Sequence, residues 1–167
     1  MANATDAEPF VITRSFNAPR ALVWKAFTEK GRLAQWWGPQ GAVVTASTLD
    51  LSPGGVFHYG MEMNGFAMWG QWVFREIEPP ARLVFVSSFS TPEGGIGPCP
   101  FPMDFPAEVL STIEFTEDDG RTTLTMRGVP LNATEAQRQT FQGMKSSMQV
   151  GWGGTFDKLE GYLSGAS

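Results

Sequence analysis

A chain of 167 residues, 42% hydrophobic and 13% aromatic, is long enough to bury one sizeable core and too apolar to be disordered as a whole. Twelve Lys and Arg against seventeen Asp and Glu leave a net charge of −5, which repels a polyphosphate backbone and sets nucleic acid aside as a partner. No apolar run of roughly 18 residues is present to span a bilayer, the start MANATDAEP is not an export signal, and the single cysteine, Cys99, excludes an internal disulfide and fits a cytoplasmic setting.

FVITRSF, residues 10–16, places Phe10, Ile12 and Phe16 on one side of a period-two pattern that Arg14 interrupts, and predicts a first strand. Pro19 suits the first turn of a helix over RALVWKAFTEK, which Gly31 is expected to close. RLAQWW then allows one or two further turns before Gly38-Pro39. On so short a helix Trp36 and Trp37 point about 100° apart, so one can plug the core while the other, Trp37, faces the mouth of a cavity; the alternative is that both are core. From residue 41 the period is two. VVTASTLDL, VFHYGMEM, FAMWGQWVFREI, RLVFVSSF, AEVLSTIEFT and RTTLTMRGV read as six strands, with Asn64-Gly65 the strongest hairpin turn among their connections. Such short connections require antiparallel neighbours.

Residues 91–106 hold five prolines and three glycines, which exclude helix and strand, yet Ile96, Phe101, Met103 and Phe105 make the segment too apolar for a solvated linker. It is expected to be a loop lying on the protein, either a lid or a packed insertion. The last segment, from about Asn132 to Leu163, predicts one long helix capped by Asn132 and Glu135. Phe141, Met144, Met148, Trp152, Phe156, Leu159 and Leu163 are spaced 3, 4, 4, 4, 3 and 4, which lines them along one face for burial. Five glycines weaken this helix, and Gly153-Gly154 is a candidate kink.

These elements bury their apolar faces if a seven-stranded antiparallel sheet, an α+β arrangement within a single domain, curves around the final helix. Phe57, Tyr59, Met61 and Met63, Leu83, Phe85 and Phe89, Val109, Ile113 and Phe115, and Leu124 with Met126 form the concave sets, and Trp69 and Trp72 point to opposite faces. The stretches APRALVWKAFTEKGRLAQWWGP, SPGGVF, REIEPPARLVF, TLTMRG and GWGGTFDKLEGYL resemble, in that order, bacterial proteins related to the C-terminal domain of the activator of the heat shock protein 90 ATPase. Those proteins belong to the START-like (SRPBCC) superfamily, and the resemblance covers residues 10–163. It implies a helix-grip (START/Bet v-like) fold with two short helices after the first strand and a cavity between sheet and long helix. The 91–106 segment is longer than the family usually carries there.

The sequence holds no recognisable catalytic constellation. His58, the only histidine, alternates with Glu62 on the presumed outer face, one His and one Cys make a metal site improbable, and no phosphate loop or G-x-S-x-G nucleophile motif occurs, so no cofactor is expected. The leading expectation is a small-molecule binding protein whose apolar cavity takes a lipid-like or aromatic ligand. Its walls would be Trp37, Phe57, Tyr59, Met61, Phe85, Ile113, Met126, Met144, Met148 and Trp152, with Arg14, Tyr59, Ser87 and Ser111 as polar groups. A cyclase or aromatase of the kind found in the superfamily, and a protein-binding module resembling the chaperone activator, are the alternatives. Outer-face aromatics such as Trp69 would allow a homodimer.

Overall fold

The computed structural model describes residues 9–38, 40–99 and 103–165. β1 (Phe10–Phe16) is followed by α1 (Arg20–Thr28) and α2 (Lys30–Trp36), then by β2 (Val43–Leu49), β3 (Val56–Met63), β4 (Phe66–Glu78), β5 (Arg82–Phe89), β6 (Glu108–Asp118) and β7 (Arg121–Leu131). Two helices, α3 (Glu135–Gly143) and α4 (Lys145–Ser164), close the chain. All pairings are antiparallel, in the order β1-β7-β6-β5-β4-β3-β2. β1 and β2 therefore sit at opposite edges, and α1 and α2 carry the chain between them. The seven antiparallel strands are as the sequence patterns require, and the helix-grip arrangement is as the resemblance implies.

The turns obey local sterics. Asn64 and Gly65 adopt φ of 54° and 78°, and Asp119 and Gly120 adopt 57° and 75°, the left-handed pair that a tight hairpin between right-twisted strands needs. Bulges between Val44 and Ala46 and between Phe74 and Glu76 bend β2 and β4. Concave side chains Phe57, Phe85, Ile113 and Leu124 are completely or almost completely buried. Trp72 stacks on Phe85 with centroids 4.2 Å apart, and Phe115 meets Trp24 and Phe27 edge to face at 5.6 and 5.4 Å.

Helix boundaries differ from the sequence reading in three places. α1 ends at Thr28 because Glu29 is extended, so Gly31 lies in the first turn of α2 instead of closing α1. The cap of α3 is Thr134: its hydroxyl accepts from the Gln137 N–H at 3.1 Å while the Gln137 side chain accepts from the Thr134 N–H at 3.0 Å. Asn132, at φ 53°, instead donates its side-chain amide to Glu108. The expected single long helix is divided at Met144, directly after Gly143, whereas α4 runs unbroken through Gly153-Gly154.

α4 is buried unevenly. Thr155, Phe156, Leu159 and Leu163 are its buried residues, all in its second half, where Phe156 meets Phe16 edge to face at 6.0 Å. No residue from 145 to 154 is fully buried. The first half of the helix stands off the sheet, and the space beneath it is the functional feature of the fold. Among the described residues no helix is long and apolar enough to cross a membrane.

Candidate functional site: a divided hollow under the last helix

Three adjoining cavities lie between the concave sheet and the first half of α4. The first, about 270 Å³, is bounded by Trp37, Tyr59, Met61, Met68, Met148 and Trp152, with Thr155 at its floor. The second, about 160 Å³, runs along Tyr59, Trp72, Ser87, Phe105 and Val109. The third, about 220 Å³, is enclosed by Phe10, Ser111, Met126, Phe141 and Met148. Trp152 borders all three. Its ring, 5.3 Å from Trp37 and 5.6 Å from Phe156, is the partition between them. Joined, they reach the several hundred Å³ of an ordinary small-molecule pocket.

Trp37 is placed by backbone geometry. It ends α2 in an extended conformation, and the following Gly38 has φ 101°, which an L side chain rarely tolerates. A Cβ on Gly38 would also press on Met61 Sδ at 3.1 Å. Lys158 of α4 secures this corner by donating to the Ala42 carbonyl at 2.9 Å and the Trp37 carbonyl at 3.4 Å. Burial pulls the Lys158 ammonium below the usual lysine range. Trp37 thereby meets Tyr59 and Trp72 edge to face at 5.7 and 4.9 Å. Trp36 points the other way, fully buried, with its indole N–H donating to the Ala26 carbonyl at 3.0 Å.

Tyr59 owes its position to a glycine. It faces Gly70 across the β3–β4 pair, and a Cβ at Gly70 would overlap its hydroxyl and Cζ. On the opposite face of the same two strands Trp69 covers Gly60 in the same way. Burial pushes the Tyr59 phenol up to about 12, opposed in part by the pull of the nearby Trp37 indole. The Trp37 N–H is itself buried and approaches the Tyr59 oxygen without reaching full hydrogen-bond geometry. Because the unfolded chain releases the Tyr59 proton near pH 10 and the native protein near pH 12, the native state binds more protons between these values. The stability contribution of Tyr59 is thus complete below pH 10 and is lost as pH rises through 12. Urea midpoints are expected to fall over that range in the native sequence and to fall less in Tyr59→Phe.

Of the residues expected in the walls, Trp37, Tyr59, Met61, Met126, Met148, Trp152, Ser87 and Ser111 border the hollow. Phe57, Phe85 and Ile113 do not. All three are concave, but Phe57 and Phe85 are covered by neighbouring aromatics, Tyr59 stacking on Phe57 at 5.0 Å and Trp72 on Phe85. Met144 sits at the α3–α4 junction and borders none of the three cavities. Arg14 is also elsewhere: its guanidinium reaches out to Asp157 at 2.6 Å and Glu160 at 2.7 Å on α4, which holds its pKa above the ordinary arginine value. These carboxylates are more than half exposed, so the pairs tie β1 to α4 with little net energy. Met68, Trp72, Phe105, Val109, Phe10 and Phe141 are wall residues that the sequence reading did not assign to the site. Phe10, Trp72 and Val109 carried a period-two signal; Phe105 carried none, because it lies in the Pro-rich loop.

His58 is on the convex face, as its alternation requires, stacked on Trp69 at 5.2 Å and donating from Nε2 to the Thr91 carbonyl at 2.8 Å. Trp69 is half-buried in this contact. The described residues contain no group of three or more His, Cys, Asp or Glu able to hold a metal ion.

The sequence profile of the family described as Activator of Hsp90 ATPase homolog 1-like protein (AHSA1) matches residues 17–164. The chain belongs to this family. Solved structures agree in fold. A protein from Arthrobacter aurescens is 25% identical with a TM-score of 0.78, the alignment covering 100% of this chain and 91% of that one. Ms6760 from Mycobacterium smegmatis is 24% identical at TM-score 0.75, covering 98% and 94%. The AHSA1 protein from Silicibacter pomeroyi is 20% identical at 0.70, covering 93% and 97%. No curated protein matches the chain in sequence. In this AHSA1-family chain the long Pro-rich connection serves both faces of the sheet. Its first part covers the convex side, where Ser90 bridges to Ile96 and the Gly95 N–H donates to Gln71. Its last part brings Phe105, Pro106 and Ala107 to the concave hollow.

Proposed function

We propose that this protein binds a small, lipid-like or aromatic molecule in the hollow beneath α4. The observation that carries the reading is the half-docked helix. Met148 and Trp152 lie on the apolar face of α4, yet neither is fully buried, because they border empty volume and not packed sheet. Large apolar surface left next to a void gains contacts when a guest fills it. The described walls favour binding over a reaction that needs a proton acceptor. Apart from hydroxyl groups of Ser and Thr, their one ionisable side chain is Tyr59, while His58 is on the other side of the sheet. A cyclase-like role would rest on positioning alone.

A thermal-shift series against long-chain fatty acids, fatty alcohols and fused-ring aromatics tests this. A ligand present at ten times its Kd is expected to add about 1.4 kcal/mol of stability, raising Tm by roughly 3–6 °C for a domain of this size. No stabilisation by any member of the series would remove the reading.

A further inference from the structure

The polar atoms of the hollow are few, and among them the Ser88 hydroxyl at the second cavity is buried without a partner. The Thr155 hydroxyl is committed to the Gly151 carbonyl at 3.1 Å and the Ser87 hydroxyl to the Val109 carbonyl at 3.4 Å. The Trp37 indole is 7% exposed, and its N–H, near the Tyr59 oxygen, makes no hydrogen bond of full geometry. A buried donor left unmade is costly in a folded protein, and such groups are few in native structures. Beside it stands the Tyr59 hydroxyl, close enough to the indole N–H for that contact to pull against the upward shift of the phenol, and a phenol is a proton donor at neutral pH. Both side chains border the first and second cavities, so both donors stand at the boundary between the two. No Lys, Arg, His, Asp or Glu side chain lines the three cavities.

Resting on the binding role proposed above, we infer that the hollow selects a neutral, planar ligand carrying a carbonyl-type oxygen, and that this oxygen accepts from Trp37 Nε1–H and the Tyr59 hydroxyl. Planarity follows from the walls. Trp37, Tyr59, Trp72 and Trp152 present ring faces and edges across narrow cavities, which a flat ring system can meet by stacking and edge contact. Neutrality follows from the missing countercharge. A carboxylate drawn into such walls would lose its hydration and find no cation to replace it. A pure hydrocarbon would fill the volume but leave both donors unmet.

Three probes that share a ring system separate these cases: acetylnaphthalene, isopropylnaphthalene and naphthoate, titrated by tryptophan fluorescence. The ketone is expected to bind about tenfold more tightly than the hydrocarbon, the gain of one to two hydrogen bonds, and naphthoate more weakly than either. Tyr59→Phe and Trp37→Phe should each shrink the ketone-to-hydrocarbon ratio toward one, a ratio in which any loss of wall contact common to the two probes cancels. In the unsubstituted protein the Trp37 indole N–H proton, assigned by its proximity to the Tyr59 ring, should move downfield with the ketone and stay in place with the hydrocarbon. That signal needs no variant to fold. Equal affinity for ketone and hydrocarbon, or an unmoved indole resonance in the ketone complex, overturns the carbonyl selection while leaving the binding role intact. Failure of all three probes to bind overturns both.

Discussion

Trp36→Ala is expected to destabilise the protein by about 3–5 kcal/mol, in the range for emptying a fully buried aromatic site and a large part of the 5–15 kcal/mol that typically holds a domain folded. Trp36 is 0% exposed and packs edge to face on Phe27 at 4.8 Å and on Trp37 at 5.8 Å. Its N–H serves the Ala26 carbonyl at 3.0 Å within the core, a bond that no replacement side chain restores. Even Trp36→Phe should cost roughly 2–3 kcal/mol, from lost volume together with a lost buried hydrogen bond. The neighbouring substitution behaves differently. Trp37→Phe removes an N–H that makes no hydrogen bond of full geometry, so relief of an unmet donor offsets part of the lost volume and a cost under about 1 kcal/mol is expected. Urea midpoints at unchanged m-value measure both. Equal losses for the two phenylalanine variants would show that both tryptophans are core and that Trp37 has no spare hydrogen-bonding capacity for a guest.

That contrast also marks where sequence reasoning stopped. Adjacent tryptophans next to Gly38-Pro39 showed that two large side chains must diverge from a helix end, and α2 does turn Trp36 inward and Trp37 toward the hollow. Period two in VFHYGMEM fixed which residues of β3 face inward. It could not distinguish a first layer from a second. Phe57 and Tyr59 share that face, but only Tyr59, lying over the bare backbone of Gly70, reaches the cavity, and Phe57 is sealed beneath it. Depth depends on cross-strand partners, which are set by register between distant segments. The strand position of Arg14 points inward, as a polar wall residue would; the pull of Asp157 and Glu160, more than 140 positions away in sequence, turns its charge to the outside. Phe105 had no periodicity to announce it, because it lies in the Pro-rich connection between β5 and β6.

Replacing Gly151, Gly153 and Gly161 together by Ala is expected to raise stability by about 1.5–3 kcal/mol, roughly 0.5–1 kcal/mol from each helix-interior glycine. The structure permits this gain because a Cβ at any of the three would meet no atom within 4 Å, and none of them has a positive φ. Gly154 is the control. A Cβ there would meet Gln40 Cγ at 3.0 Å and disturb the hydrogen bond from Gln40 to the Gly154 carbonyl, so Gly154→Ala should gain nothing or lose. Two of the three free glycines, Gly151 and Gly153, fall in the half of α4 that stands over the hollow, where no residue is fully buried and tertiary packing does least to hold the helix together. Amide exchange in residues 145–154 should therefore be faster than in 155–164, and the triple substitution should slow it selectively there. If a guest reaches the cavities by loosening this half-helix, its association rate should fall in the triple variant while the walls, apart from the added Gly151 methyl, stay the same. Unchanged stability in the triple variant would mean that glycine entropy does not limit α4, and uniform exchange along the helix would remove the half-docked segment as the route by which a ligand gets in.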